Sequence, residues 1–218
     1  MQAEYWLKRW REGRTGWHHD SVMPLLVEHW PALEVQRGTR VLVPFCGKSL
    51  DMIWLAEQGL RVLGVEVSPL AVEQFFAEND LEPEKRKAAD GIHHVAGDVE
   101  VIQGDLFQIE PATLAACGAV YDRAAVIAQP APERERYAKE VYSRLPGGCR
   151  GLTITLEYPQ AEMDGPPFSV DESEMQRLFG SAWDITLAER RDILAGQPGF
   201  REAGLTSLHT CVYRLRRR

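Results

Sequence analysis

The chain has 218 residues, which is near the upper end of single-domain size and long enough to bury a sizeable hydrophobic core. Its formal net charge of −7 argues against a broad basic surface, so we expect no nucleic-acid partner. No apolar run near the N-terminus is long enough for a signal peptide or a membrane span. We therefore expect one soluble, cytoplasmic domain without a membrane partner.

Neither the cysteines nor the histidines indicate a metal site. The four cysteines, at positions 46, 117, 149 and 211, lie far apart and form no Cys-x-x-Cys pair, which also argues against a disulfide framework. The two adjacent histidine pairs, His18-His19 and His93-His94, lack the i, i+4 spacing that places two ligands on one helix face. We therefore expect no bound metal.

The first elements of the chain predict a helical N-terminal segment rich in tryptophan. Residues 1–17 contain three tryptophans, of which Trp6 and Trp10 share one helix face. An aromatic face of this kind packs on the core or covers a ligand, and the sequence leaves both possibilities open. Residues 20–30 predict a second helix that ends before Pro31.

Residues 40–68 predict a β-strand, a helix and a second strand, around which the rest of the chain is organised. The first strand is an apolar run at 41–45, and its loop contains Gly47. Ligands in open α/β sheets bind at the carboxyl ends of the strands. Gly47 lets a ligand approach the backbone there, and Glu66, at the end of the second strand, could accept two hydrogen bonds from a ribose diol.

Three kinds of nucleoside-containing ligand are candidates for this unit. A phosphate loop of the type Gly-x4-Gly-Lys-[Ser/Thr] would need glycine at position 42, which is Leu42. A dinucleotide needs Gly-x-Gly-x-x-Gly, and only Gly47 stands between Pro44 and Gly59. S-adenosylmethionine has a ribose but no phosphate, so it fits best. Without any ligand, Gly47 would be an ordinary turn and Glu66 a surface charge.

The next segments predict a loop and a third strand. Residues 80–97 are charged and weakly patterned, so we expect a surface loop. Residues 99–104 alternate and predict a strand that ends at Asp105. This carboxylate could accept a hydrogen bond from the amino group of adenine, and Leu106 or Phe107 could cover the ring.

A charged pair ends the fourth predicted strand. The strand is a short apolar run at 118–121, followed by Asp122 and Arg123. Charges at the end of a buried strand are costly unless they are paired or used. Asp122 and Arg123 therefore either form ion pairs or lie at the ligand crevice.

The last third of the chain predicts further strands and helices around a proline-rich loop. The two prolines of Gly165-Pro166-Pro167-Phe168 stiffen this loop and can hold Phe168 in a fixed pose. The predicted elements are a helix at 132–145, a strand at 151–158, a helix ending at Phe179, and strands at 183–191 and 206–216.

Five motifs stand in order along nearly the whole chain, namely Trp6-x3-Trp10-x2-Gly13-x-Thr15-x-Trp17-His18, Val43-Pro44-Phe45-Cys46-Gly47-Lys48, Gly64-Val65-Glu66-Val67-Ser68, Asp122-Arg123-x-Ala125 and Gly165-Pro166-Pro167-Phe168. Together they resemble the bacterial thiopurine S-methyltransferases, within the class I S-adenosylmethionine-dependent methyltransferases. The resemblance implies a Rossmann-like, doubly wound α/β fold with a seven-stranded mixed sheet, helices on both faces and an antiparallel last strand. It also implies a single domain, 1–218, in which an N-terminal helical cover, 1–35, closes over a core, 36–218.

The same resemblance implies a set of site residues. The cofactor S-adenosylmethionine would be bound by Trp10, Phe45, Glu66, Asp105, Leu106 and Arg123. The substrate would be bound by Trp17, Arg123, Pro166, Pro167 and Phe168. Position 45 is commonly Leu in the family, and Phe45 keeps its apolar character. Arg123 would be the catalytic residue, because it favours the anionic form of the substrate directly or through water.

The implied activity is methyl transfer by in-line displacement to the sulfur of an aromatic or heterocyclic thiol, as in the thiopurines. The implied partner is a small-molecule thiol, and the implied state is a monomer. Two alternatives stay open. The acceptor could be an inorganic selenium or tellurium species, because the pocket chemistry needs only a soft nucleophile, or the chain could be a non-catalytic nucleoside-binding module.

Overall fold

A computed structural model describes residues 3–218 of the chain. The strands are β1 (Arg40–Pro44), β2 (Arg61–Glu66), β3 (Glu84–Ala88), β4 (Gly91–Ala96), β5 (Val99–Gln103), β6 (Ala119–Arg123), β7 (Arg150–Glu157), β8 (Trp183–Asp192) and β9 (His209–Arg217). The α-helices are α1 (Ala3–Arg11), α2 (Pro24–His29), α3 (Asp51–Glu57), α4 (Pro69–Glu78), α5 (Pro111–Ala115), α6 (Ala131–Glu140), α7 (Glu172–Phe179) and α8 (Pro198–Glu202). Residues 1 and 2, which belong to the predicted cover, lie outside the described part.

The strands form one mixed sheet in the order β3-β4-β5-β2-β1-β6-β7-β9-β8. Strands β5, β2, β1, β6 and β7 pair in parallel, whereas β4 and β9 run antiparallel to both of their neighbours. The α/β class and the mixed sheet agree with the sequence analysis. The expected count of seven strands is wrong, because the sheet has nine, and antiparallel pairing is not confined to the last strand.

The two additional strands, β3 and β4, form a hairpin within residues 80–97, where we expected a loop. Every residue of β3 is exposed, since β3 is the edge strand of the sheet. Its side chains are mostly charged, which protects an edge from pairing with another chain but removes the alternation that predicts a strand. The expectation of a loop was therefore wrong for a physical reason.

Helices cover both faces of the sheet. Successive residues of β1 point to opposite faces: Leu42 packs in a buried cluster with side chains of α5, α6 and α7, whereas Val41 and Val43 pack with side chains of α2, α3 and α4. Strands β1 and β2 are buried on both sides, which is why they appear in the sequence as nearly continuous apolar runs.

The backbone turns sharply where β1 and β6 end. Phe45 follows β1 with φ of 47°, and Ala124 follows β6 with φ of 65°. Residues other than glycine adopt this left-handed conformation at a cost and mainly where the surrounding structure enforces it. In the sheet, β1 lies between β2, which follows it in the chain, and β6, which comes later, so the direction of the strand order reverses at β1. Ligands of α/β sheets bind in the crevice at such a reversal, and the two turns lie beside it.

The described residues, 3–218, include no helix with the length and apolar character needed to cross a membrane. Four free cysteines, Cys46, Cys117, Cys149 and Cys211, are all buried.

Candidate active site

A cavity of about 840 Å³ lies at the carboxyl ends of the parallel strands. The strand ends and the loops that follow them contribute Phe45, Glu66, Val67, Gly104, Asp105, Leu106, Phe107, Arg123 and Ala124. The N-terminal segment contributes Ala3, Trp6, Arg9, Trp10, Gly16 and Trp17. The opposite wall contains Ile154, Thr155, Leu156, Pro166, Pro167, Arg191, Ile193, Phe200 and Thr210.

This cavity brings together all but one of the site residues that the sequence predicts. The lining includes Trp10, Trp17, Phe45, Glu66, Asp105, Leu106, Arg123, Pro166 and Pro167. Phe168 does not line the cavity. Its backbone N–H donates to the carbonyl of Ile127 at 2.6 Å, and its ring lies 6.0 Å from the guanidinium carbon of Arg134. The role of Phe168 in substrate binding stays a prediction, as do the roles of the lining residues.

Glu66 is a buried carboxylate at the bottom of the cavity, with 5% of its surface exposed. Its Oε2 accepts a hydrogen bond from the N–H of Gly47 at 3.0 Å, and its Oε1 accepts one from the N–H of Ser68 at 2.8 Å. Burial raises the pKa of Glu66 to about 6, although the amides of Ser68, Gly47 and Val67 favour the ionised form. A carboxylate has further acceptor positions, so it can still accept hydrogen bonds from a ligand diol.

The charged pair at the end of β6 divides between two environments. Asp122 is fully buried and accepts hydrogen bonds from the hydroxyls of Tyr137 at 2.8 Å and Tyr142 at 3.0 Å, so it holds α6 and the following turn against the sheet. Arg123 lines the cavity and forms an ion pair with Asp51 at 2.8 Å. Both alternatives from the sequence therefore apply to Arg123, which is paired and also faces the ligand crevice.

The N-terminal aromatic residues rest on the loop after β1. Trp10 is 5% exposed, and Trp17 contacts both Trp10 and Trp6 edge-on, with ring centroids 5.9 and 5.2 Å apart. Gly47 has φ of 54°, and a Cβ built on it would lie 3.1 Å from the Trp10 ring. Glycine is thus favoured at position 47 by both backbone conformation and close packing. Trp10 is buried against this loop and also lines the cavity, and its role as a cover over a ligand stays a prediction.

The wall formed by β7, β8 and β9 contains lining residues that the sequence did not predict. Thr155 and Leu156 lie near the carboxyl end of β7, a position that could have suggested them. Arg191 and Thr210 come from an antiparallel pair, in which they are directly opposite each other. That register is not visible in the sequence, so these residues carried no local signal.

His19 is another lining residue that the sequence did not assign to the site. Burial lowers its pKa, and the charge of Arg123 lowers it further. Both effects favour the neutral form of the imidazole.

Among residues 3–218, one group of side chains has ligand atoms close enough to hold a metal ion. The carboxylate and imidazole atoms of Glu28, His29 and Glu189 lie within 4.8 Å of one another. The guanidinium of Arg191 already contacts both carboxylates, at 2.5 Å from Glu189 and 3.5 Å from Glu28. This positive charge disfavours a cation at the same place.

Comparison with known proteins relates this geometry to one family. The model of the family described as Thiopurine S-methyltransferase (TPMT) matches residues 1–218. A thiopurine S-methyltransferase of Bordetella pertussis (strain Tohama I) is 60% identical over 217 residues, which cover 100% of this chain and 99% of that protein. One of Xanthomonas campestris pv. campestris (strain 8004) is 56% identical over 217 residues and is covered completely.

Solved structures share the fold at much lower identity. A 1,6-didemethyltoxoflavin-N1-methyltransferase of Burkholderia thailandensis, with bound 1,6-didemethyltoxoflavin and S-adenosylhomocysteine, has a TM-score of 0.65 and 18% identity, covering 99% of this chain and 86% of that chain. An S-adenosylmethionine-dependent methyltransferase of Anabaena variabilis has a TM-score of 0.63 and 14% identity, covering 99% and 95%. The α/β methyltransferase fold with a mixed sheet is thereby confirmed.

Proposed function

This chain belongs to the thiopurine S-methyltransferase family of S-adenosylmethionine-dependent methyltransferases, and we propose that it methylates the sulfur of small aromatic or heterocyclic thiols, such as thiopurines. The proposal is supported by one cavity that contains both the buried carboxylate of Glu66 and the guanidinium of Arg123, among mostly apolar lining residues. The carboxylate of Glu66 suits the ribose of a nucleoside, and the guanidinium of Arg123 suits an anionic sulfur acceptor.

The residues present fit S-adenosylmethionine. The loop after β1 offers Gly47 without the glycine-rich amide nest that a pyrophosphate would need, and Glu66 offers acceptors for a ribose diol. Trp10, Phe45, Asp105 and Leu106 would complete the cofactor site. When bound, S-adenosylmethionine supplies an electrophilic methyl group on a sulfonium, which a soft nucleophile can displace in line.

The protein needs no nucleophile of its own for this reaction. An aromatic or heterocyclic thiol ionises readily near neutral pH, and Arg123 would favour its anion directly or through water. Holding an acceptor in a productive orientation can lower the barrier by roughly 7 to 11 kcal/mol. Trp17, Pro166 and Pro167 would supply the apolar walls that orient it, and Phe168 remains a predicted substrate-binding residue of the same loop.

Residues 1–35 would act as a cover over the core formed by residues 36–218. The carbonyl oxygen of Trp17 accepts a hydrogen bond from Nη1 of Arg123 at 3.2 Å, which links the cover to the cavity wall and supports this division. We further propose a cytoplasmic monomer that acts on small molecules without a nucleic-acid partner. Its four free cysteines suit a reducing compartment, and its net charge of −7 disfavours nucleic acid.

The direct test is to mix the purified protein with S-adenosylmethionine and 6-mercaptopurine, and to measure S-adenosylhomocysteine and the methylated thiol. Formation of both products would support the proposal. Turnover with selenite or tellurite species but with no organic thiol would move the acceptor to inorganic selenium or tellurium. Cofactor binding without turnover on any soft nucleophile would favour the non-catalytic nucleoside-binding module.

Substitution Glu66→Gln should weaken cofactor binding by about 1 to 3 kcal/mol, because the amide retains one acceptor oxygen in place of two charged ones. Calorimetric titration with S-adenosylhomocysteine measures this change. Glu100→Gln is a matched control, since Glu100 pairs with Arg40 near the amino ends of the parallel strands and does not line the cavity. Unaltered affinity in Glu66→Gln, with the protein folded, would refute the diol contact.

Cofactor affinity should also fall as the pH drops below about 6. The pKa of Glu66 is raised to about 6, so the carboxylate is ionised above this pH and progressively protonated below it. A diol donates its hydrogen bonds to the ionised form, so binding is strongest above pH 6 and is lost as the pH falls through this value. Calorimetry between pH 5 and 7.5 should show this loss in the wild type and a flatter profile in Glu66→Gln.

A further inference from the structure

The carboxylate of Asp51 lies directly behind the cavity wall, at the first residue of α3. It is 1% exposed and does not line the cavity. Its Oδ1 accepts a hydrogen bond from the backbone N–H of Met23 at 2.8 Å. Its Oδ2 accepts hydrogen bonds from the hydroxyl of Tyr121 at 2.9 Å and from Nε of Arg123 at 2.8 Å. Three segments of the chain therefore meet at one buried carboxylate.

These contacts determine which way the guanidinium of Arg123 faces. Nε donates to Asp51, Nη2 donates to Oγ of Ser49 at 3.1 Å, and Nη1 donates to the carbonyl of Trp17 at 3.2 Å. A guanidinium carries five N–H groups in one plane. Three of them have partners among the described residues, so the plane of the guanidinium is fixed at a position where Arg123 also lines the cavity.

Stability alone does not explain this arrangement. A buried ion pair contributes little net stability, because desolvation of both charges offsets their attraction. What a buried pair with several additional hydrogen bonds does provide is a defined orientation, which a catalytic arginine needs before its substrate arrives.

We propose that Asp51 is a positioning residue of the methyl transfer, which orients Arg123 towards the acceptor sulfur. The same carboxylate also binds the backbone N–H of Met23. Met23 itself lines the cavity, so the carboxylate couples two parts of the wall that come from distant regions of the sequence. This inference rests on the proposed function, because it assigns Arg123 an anionic thiol as its ligand.

Asp51→Asn is the primary test, since it keeps the shape of the side chain and removes its charge. We expect KM for the thiol to rise about tenfold, while the dissociation constant of S-adenosylhomocysteine changes less than about twofold. The acidic limb of the kcat profile should also move to higher pH, because a misdirected guanidinium stabilises the bound thiolate less. A residue with only a structural role would lower the melting temperature without moving this limb.

A double-mutant cycle separates positioning from an independent effect. Arg123→Met keeps the aliphatic part of the side chain and removes the guanidinium. If Asp51 acts by orienting this guanidinium, substitution of Asp51 has no further effect once the guanidinium is absent. Asp51→Asn combined with Arg123→Met should then give the same KM and pH profile as Arg123→Met alone. Additive losses would overturn the inference.

Glu100→Gln is the matched control for stability, because it removes the charge from another arginine–carboxylate pair, Arg40–Glu100, which does not line the cavity. We expect it to lower the melting temperature and to leave the acidic limb of the pH profile at its wild-type position. If wild-type protein turns over thiols but Asp51→Asn keeps the wild-type KM and pH profile, the inference alone is overturned. If the wild type turns over no thiol, the proposed function is overturned, and this inference with it.

Discussion

Deletion of residues 1–17 should leave a folded protein whose kcat/KM falls by about 100-fold or more, because the reacting groups lose both their orientation and their shield from water. The deleted segment contains α1 and contributes Trp6, Trp10 and Trp17 to the cavity wall. It also contains the carbonyl of Trp17, which accepts a hydrogen bond from Arg123.

The core should survive this deletion. Trp10 is buried, but the buried clusters on the two sheet faces do not include it. Circular dichroism and thermal melting would establish that the truncated protein is folded, and steady-state kinetics with 6-mercaptopurine would measure the loss. Lys8→Ala is a control on the outer face of α1, where the side chain is 63% exposed. Full activity of the truncated protein would mean that the tryptophans serve only packing.

Substitution Arg123→Ala should raise KM for the thiol by about 10- to 150-fold, equivalent to about 1.5 to 3 kcal/mol for hydrogen bonds that involve a charged group. The cofactor constant should change far less, because Glu66 lies at the end of a different strand and retains its amide partners. Kinetics for the thiol and calorimetry with S-adenosylhomocysteine would measure the two constants separately.

Arg123→Ala also leaves the buried carboxylate of Asp51 without its ion-pair partner, so folding needs its own measurement. Arg123→Lys retains a positive charge for Asp51 and loses the planar fork, and we expect KM between those of the wild type and Arg123→Ala. Arg40→Ala breaks a partly buried ion pair with Glu100 near the amino ends of the parallel strands, and serves as the control. An unchanged thiol KM in folded Arg123→Ala would remove this residue from the substrate site.

Much of the fold and of the site could be predicted from local sequence. The apolar run of β1, the break at Gly47 and the acidic end of β2 at Glu66 are properties of neighbouring residues. The position of a ligand at the carboxyl ends of parallel strands then follows from the geometry of α/β sheets. The five family motifs added the expectation of an aromatic cover and a two-proline loop at the site, because a short motif can be recognised before the fold is known.

The tertiary structure alone decided which distant residues meet. Asp51 and Arg123 are 72 positions apart and pair only because α3 begins beside the end of β6. Arg191 and Thr210 share the cavity wall because β8 and β9 align them in register. The hairpin of β3 and β4 forms although its charged edge strand lacks strand periodicity, because β4 also pairs with β5 and the backbone hydrogen bonds of this pairing stabilise the hairpin. Local patterns encode elements and loop chemistry, whereas long-range contacts depend on packing and register, which no single segment of the sequence contains.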